Sequence, residues 1–527
     1  LLAVALLASC ASREADSRAA LDATRMLEQS RSLSRTYPAR LGLAVAAADV
    51  AAKGFAKNGN TTDRLTYNQA CTEIGYLSQK VSLPVTLDTP AGPCRLEFGS
   101  TKSSGVWNPA FFAKLIPTAM IRNKALVAKT DSAGFGGTLV GVHQPPNPRS
   151  LLLPAVGVSA PVTAVVNTTP PANPNGQISA TLTLYDSAKC DSARIAGTMR
   201  PLAADLCAPL GFYPLAPNLG IFGLLRPQTY LEKEGLFLLQ PYDPKKIPLV
   251  LIHGLMSQPQ MWLPVIAAIE KDPVLGGKYQ FWVFAYPTGN PIGYCALSLR
   301  KALARMYKVY PKSPDMVIVN HSLGGVITHL QVINSGNALV DGIFKKNAKK
   351  ILALPADSPI KQALIVKSNP RIRRVVFVAA PHRGAPLAIN PVAEWAGGFI
   401  RLPGRVLSDI GTATLHAATE AAGIKGIFVP NSVNGLEPTS PLLIAMNTVP
   451  IVPPFHSIIG VAGEPKSPLA KTSDTVVPYW SSHLAAARSE KILPYPHTAM
   501  FVKPDATDEI KRILRLHLNG SITPLIP

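Results

Sequence analysis

A serine held at the tip of a tight turn between a buried strand and a helix is placed to act as a nucleophile, and residues 316–330 read as such a unit. The apolar run Met316–Val319 leads into Asn320-His321-Ser322-Leu323-Gly324-Gly325, and Val326–Leu330 then opens a helical pattern. Small residues around Ser322 suit a strained backbone with a helix packed close behind it. The helix N-terminus under the serine would favour negative charge developing there. A serine hydroxyl is a weak nucleophile unless a base takes its proton and an acid orients that base. Downstream, Glu464 and Asp474 are the candidate acids, and His483, His497 and His517 the candidate bases. His517 lies inside a terminal helical pattern and reads as a surface or packing residue. His483 follows Asp474 too closely to leave room for a strand between them. His497 follows the short run Lys491–Pro494 and precedes a helix over Asp505–Leu518, so a strand separates it from either acid. No CxxC or Cys/His spacing suggests a metal, and the chemistry requires no cofactor.

The elements that must position these residues begin near residue 245. Ile247–Ile252, Phe281–Phe284, Met316–Val319, Arg374–Ala379 and His456–Val461 are short continuous apolar runs separated by longer helical segments. Strands covered on both faces read this way, so the expected fold is α/β, a mostly parallel doubly wound sheet over residues 245–527. Right-handed crossovers put the strand C-termini, and any site, along one edge. Residues 385–450 form a long insertion. Trp395, Phe399, Ile400, Leu402, Val406, Leu407 and Ile410 give it an amphipathic stretch that fits either a lid over an apolar pocket or core packing on the sheet.

Several segments carry a family resemblance. Pro248–Ile252 ends in His253-Gly254-Leu255-Met256, Ser322 sits in its turn, Val375–Ala379 runs into Ala380-Pro381-His382-Arg383-Gly384, and Ser473-Asp474-Thr475-Val476-Val477-Pro478 follows the run His456–Val461. Together they resemble bacterial lipases and esterases of the α/β-hydrolase superfamily, both triacylglycerol-lipase-like and GPI-inositol-deacylase-like, over roughly residues 246 to 520. The chain departs from the usual Gly-x-Ser-x-Gly at Asn320, which brings a Cβ into a crowded turn. The resemblance implies hydrolysis of lipophilic carboxylic esters through an acyl-enzyme. Ser322 would be the nucleophile, Asp474 the acid and His497 the base, with the Leu255 and Leu323 backbone N–H groups as oxyanion donors. His253, Met256, His321, Pro381 and His382 would shape the pocket, His253 as a structural residue rather than a base. An acyltransferase or an amidase or peptidase could use the same residues. From another class, a non-catalytic lipid-anchored binding protein on a hydrolase scaffold would not need a serine, acid and histidine in this order.

With 527 residues the chain exceeds one ordinary core. Residues 1–10 read as the remnant of a bacterial lipoprotein signal peptide: the apolar run Leu1–Leu7, then Ala8-Ser9-Cys10 with Cys10 as the lipidated residue, although no initiator Met or basic region precedes it. That reading implies an exported, membrane-anchored protein of the cell envelope. Residues 11–130 read as mainly helical, with a break at Pro38. Residues 131–240, with runs at Gly137–His143, Leu151–Val166 and Ile178–Tyr185, read as a small antiparallel accessory domain, with a sandwich as one form it could take. Export would permit disulfides, and Cys71–Cys94 and Cys190–Cys207 are the local pairs, with Cys295 left over. The net charge of +21 reads as a solvated basic surface, with attraction to an acidic surface such as anionic lipid, a polysaccharide or nucleic acid as the alternative. Its clusters, Lys345/Lys346/Lys349/Lys350 and Arg371/Arg373/Arg374, have no interleaved aromatics, so no nucleic-acid platform is expected. Nothing in the sequence indicates the oligomeric state.

Overall fold

The computed structural model describes residues 20–32, 34–121, 131–173, 176–213, 234–386, 432–464, 468–501 and 503–520. Cys10 and the central part of the insertion, residues 387–431, lie outside the described residues, and with them all the residues named above for its amphipathic stretch. The chain divides into two compact units, residues 1–148 with 155–214, and residues 149–154 with 215–527.

The first unit opens with helices α1 (residues 20–30), α2 (Tyr37–Asn58) and α3 (Thr61–Leu77). Pro38 starts α2 rather than ending a helix: it occupies the first turn, where its missing N–H costs nothing, and the Thr36 hydroxyl accepts from Ala39 N. Gly59 closes α2 in the left-handed conformation that suits glycine, and the Asn60 side chain caps α3. Six strands follow: β1 (Val85–Thr89), β2 (Gly92–Phe98), β3 (Lys114–Pro117), β4 (Gly137–His143), β5 (Val158–Thr169) and β6 (Ile178–Asp186). They form one sheet in the order β1-β2-β6-β5-β4-β3, antiparallel except for β2 against β6.

Two expectations are corrected here. Strands β1 to β3 fall within residues 11–130, which read as mainly helical, and they complete the sheet begun by the later strands. There is also no sandwich among the described residues. Helices α2 and α3 take the place of a second sheet: a Cβ on Gly42 would lie 2.2 Å from the Asp88 carbonyl oxygen, and one on Gly75 2.6 Å from Leu139. Tyr67, fully buried on α3, donates its hydroxyl to Val166 O at 2.9 Å. Cys71, Cys94, Cys190, Cys207 and Cys295 are all thiols, so neither expected disulfide is formed. The Cys71 thiol is held beside the Tyr67 hydroxyl, and Cys190 reaches the Ser104 and Gly105 carbonyls instead.

The second unit is built on seven strands: β7 (Gly235–Leu238), β8 (Ile247–Ile252), β9 (Tyr279–Ala285), β10 (Met316–His321), β11 (Ile372–Val378), β12 (Phe455–Gly460) and β13 (Glu490–Leu493). Their order is β7-β9-β8-β10-β11-β12-β13, with β7 antiparallel to β9 and every other pair parallel. Strand β7 lies inside residues 131–240, which read as the accessory domain, but its partners are Val283 and its neighbours on β9, so it is the edge of this sheet. Strands β10 and β12 are buried along their whole length, their polar Asn320, His321, His456 and Ser457 included. Helix α4 (Ile292–Val309) crosses from β9 to β10, the short helix α5 (Leu323–His329) follows β10, and α6 (Pro504–Leu518) closes the unit. This is the α/β-hydrolase fold: one antiparallel edge strand, a single exchange in strand order, and a parallel sheet with its C-terminal edge free for a site. Among the described residues no helix is long and apolar enough to cross a membrane.

Candidate active site

Ser322 stands between β10 and α5, at the C-terminal edge of the sheet, with φ 54° and ψ −127°. A side chain in that region is strained, by about 1–3 kcal/mol, and persists only where the surroundings enforce it. Here Ser322 N donates to Val378 O at 3.0 Å, which ties the turn to the neighbouring strand, and Gly325 N donates to Ser322 O at 2.8 Å. Three glycines make the close approaches possible. A Cβ on Gly254 would fall 2.7 Å from Ser322 Cβ, one on Gly324 2.6 Å from His253 O, and one on Gly325 2.4 Å from Ala380 Cβ. The loops after β8 and β11 are therefore pressed directly against the turn.

Asn320 is accommodated because it still belongs to β10, paired with Ile252 and Phe377, and its φ is not positive. Its side chain lies over Gly325, where an added Cβ would meet Asn320 Oδ1 at 2.9 Å. Asn320 is wholly buried, and neither its Oδ1 nor its Nδ2 finds a hydrogen-bond partner among the described residues.

Asp474 follows β12 and is buried, at 1% exposure. Its loop folds around it: Val476 N and Val477 N donate to Oδ1 at 2.9 and 2.6 Å. The other oxygen, Oδ2, accepts from His497 Nδ1 at 2.6 Å, and His497 N donates to Asp474 O at 2.7 Å. A carboxylate can only accept here, so the proton of neutral His497 sits on Nδ1 and Nε2 keeps its lone pair. The ring of His497 lies 4.7 Å from that of His321, the residue immediately before Ser322. Glu464, the other candidate acid, is exposed. His483 is engaged elsewhere, its Nδ1 2.7 Å from Glu490 Oε2 and its ring stacked on Tyr479.

Met256 sits in the turn after β8 with φ 54°, half exposed, and its N–H donates to Thr288 Oγ1 at 3.3 Å. Leu255 occupies the same turn, and Leu323 is the first residue of α5. His253 is buried, donates Nδ1–H to Gly254 O and stacks on Tyr286 at 4.5 Å. Burial lowers its pKa to about 4, so it is neutral at physiological pH. His321 is buried beside His497 and Phe501, and burial holds its pKa well below the usual range. His382, next to Pro381, is wholly buried; its Nδ1 lies 3.1 Å from His329 Nδ1 and its ring packs edge-on against Phe377.

Tyr286 and Thr288 escaped the sequence reading. Tyr286 donates its hydroxyl to His253 O at 2.8 Å, and Thr288 holds the Met256 amide. Both lie just past the C-terminus of the apolar run Phe281–Phe284, and the rule that sites form at strand C-termini would have marked them. Among the described residues no group of three or more His, Cys, Asp or Glu could hold a metal ion.

No family model and no curated protein matches the chain. Solved structures to which it is similar include the mature form of a lipase from Bacillus licheniformis, at 16% identity and TM-score 0.32, over 53% of this chain and 97% of that one. An esterase from Pyrococcus furiosus matches at 14% identity and TM-score 0.27, over 53% of this chain and 86% of that one. An esterase from Exiguobacterium antarcticum matches at 12% identity and TM-score 0.29, over 53% of this chain and 95% of that one.

Proposed function

We propose that the second unit hydrolyses lipophilic carboxylic esters by acyl transfer through Ser322. The observation that carries this reading is the buried 2.6 Å contact of His497 Nδ1 with Asp474 Oδ2, held beside a turn that keeps Ser322 at positive φ. In the proposed reaction His497 Nε2 takes the Ser322 hydroxyl proton as Oγ bonds to the ester carbonyl carbon, and the carbonyl π pair moves onto oxygen. The backbone N–H groups of Leu255 and Leu323 receive that oxyanion. The tetrahedral intermediate collapses, the C–O bond to the alcohol breaks, and the leaving oxygen takes the proton from His497. Water then attacks the acyl-enzyme by the same steps and releases the carboxylic acid. Asp474 keeps the imidazole in the Nδ1–H tautomer and stabilises its charged form.

The test is labelling of the full chain with a fluorophosphonate, which reports an activated serine. Wild type should label and Ser322→Ala should not; equal labelling of the two would refute the nucleophile. Turnover of p-nitrophenyl esters should drop by a factor on the order of 10⁴ in Asp474→Asn and His497→Ala. Loss in His483→Ala with full turnover in His497→Ala would reassign the base. Anchoring through Cys10 is part of the same proposal, and metabolic labelling with a fatty-acid analogue that fails to mark the wild-type precursor, or marks Cys10→Ala equally, would remove it.

A further inference from the structure

The parallel sheet has a second edge, where its strands begin, and a cavity of about 460 Å³ opens there. Its walls come from residues 368–370, the start of β11, residues 452–454 before β12, and the end of α6. Strand β11 runs seven residues from this cavity toward the loop that packs on Ser322, a span of about 20 Å, so the cavity is separate from the candidate active site. Its size is that of a small-molecule site.

Two chemistries line it. Ile372, Pro453 and Val452 supply an apolar wall, and Arg373, Arg374 and His517 also line the cavity. Arg374 is 5% exposed, a charge taken almost entirely out of water. Its Nη1 donates to His456 Nε2 at 2.7 Å, which fixes His456 as the neutral Nδ1–H tautomer, and His456 Nδ1 donates to Ser489 Oγ at 2.8 Å. Arg512 donates to the same Ser489 oxygen at 3.0 Å. Around the cavity Arg371 and Arg373 share the carboxylate of Asp315, at 3.0 and 3.7 Å, and Arg512 is paired with Glu509. Among the described residues, cations therefore outnumber carboxylates at this end of the sheet. The field is visible in the two histidines: His517, pushed down to about 4 by burial and then by Arg374 and Arg373, and His456, pushed down to about 3 by burial and then by Arg374, Arg512 and Arg488. Burial, the larger cause, disfavours charge of either sign, but the contribution of the arginines is a positive field, which favours an anion.

We propose that this cavity binds a small amphiphilic anion, one carboxylate or phosphate group carried on a short apolar body. The guanidinium groups of Arg373 and Arg374 match the planar or tetrahedral oxygens of such a head group, and the proline, valine and isoleucine side chains take its apolar part. The site is independent of the ester chemistry at Ser322.

Calorimetric titration of the full chain with octanoate, octyl phosphate and the neutral octanamide tests this. Saturable binding of one or both anions, at least tenfold tighter than octanamide, is expected, and the ratio of the two anions identifies the preferred head group. A negative charge placed at the rim, by Arg373→Glu and separately by Val452→Glu, should weaken anion binding at least tenfold; Val452→Glu, which breaks no ion pair with Asp315, should leave thermal unfolding unchanged. Both positions are exposed, so neither variant removes buried structure. In wild type the bound anion should raise the pKa of His517, followed by its imidazole resonances. Binding of octanamide as tight as octanoate, absence of saturable anion binding, or octanoate binding that survives both substitutions would overturn the proposal.

Discussion

Ser322 carries backbone strain that a glycine would not. Replacing Ser322 by Gly should relieve about 1–3 kcal/mol of strain and lose roughly 0.5–1 kcal/mol to added freedom of the unfolded chain. Ser322→Gly should therefore be more stable than Ser322→Ala by about 1 kcal/mol, although neither should turn over ester. Urea unfolding of the two variants measures this, and equal midpoints would mean that the strain does not exceed the roughly 0.5–1 kcal/mol lost to added freedom of the unfolded chain. Asn320 makes the opposite point. Its buried amide lacks hydrogen bonds among the described residues, which costs about 1–3 kcal/mol. Asn320→Ala should leave the melting temperature unchanged or raised, and a fall of several degrees would show that the amide is satisfied in solution.

At the scale of elements, the site depends on glycines that let three loops touch. Gly324 begins the turn of α5 beneath the strand end at Ile252 and His253, and the nearest atoms its Cβ would meet are backbone carbonyl oxygens that cannot swing aside. Gly324→Ala should cost about 1–3 kcal/mol as the helix is pushed off β8, with a loss of turnover larger than the loss of stability because the serine moves with the helix. Chemical denaturation and ester kinetics on the same variant separate the two effects. In the first unit, Gly42 and Gly75 play the corresponding part for α2 and α3 against their sheet. No alternation of residue types announces such close approaches: a glycine inside a helical pattern reads as a mere weakening of the helix until its neighbour across the core is known.

Across the whole molecule, buried neutral histidines set a limit on acid stability. Burial lowers His253 to about 4 and His329 and His456 to about 3, and holds His321 and His382 well below the ordinary value. Well above pH 6.5, the ordinary histidine value, these groups are neutral in both folded and unfolded chains and contribute no pH dependence. As pH falls from 6.5 toward 4, the unfolded chain takes up protons that the folded chain refuses, so stability declines by up to about 1.4 kcal/mol per pH unit for each such histidine. Denaturant midpoints should be flat from pH 8 to 7 and drop steeply between pH 6.5 and 4.5. A flat profile through that interval would show that these histidines are charged, or exposed, in the folded protein.

The sequence alone determined the parallel sheet and the order of its chemical residues. Continuous apolar runs such as Ile247–Ile252 and Met316–Val319 are strands here because only a doubly covered sheet buries both faces of a strand. It also placed Ser322 just beyond such a run, Asp474 on the loop that follows His456–Val461, and His497 after the short run Lys491–Pro494. Tertiary structure decided what spacing cannot express. It joined β1 to β3 with the later strands into one sheet, moved β7 to the edge of the other, and left every described cysteine as a thiol. Partner choice depends on which faces meet, and that is settled by packing over distances the local pattern does not see. The pairing of His497 with Asp474 rather than His483 follows from the same cause. His483 is nearer in sequence, but its ring is taken up by Glu490 and Tyr479, whereas the loop after β13 carries His497 onto the buried carboxylate.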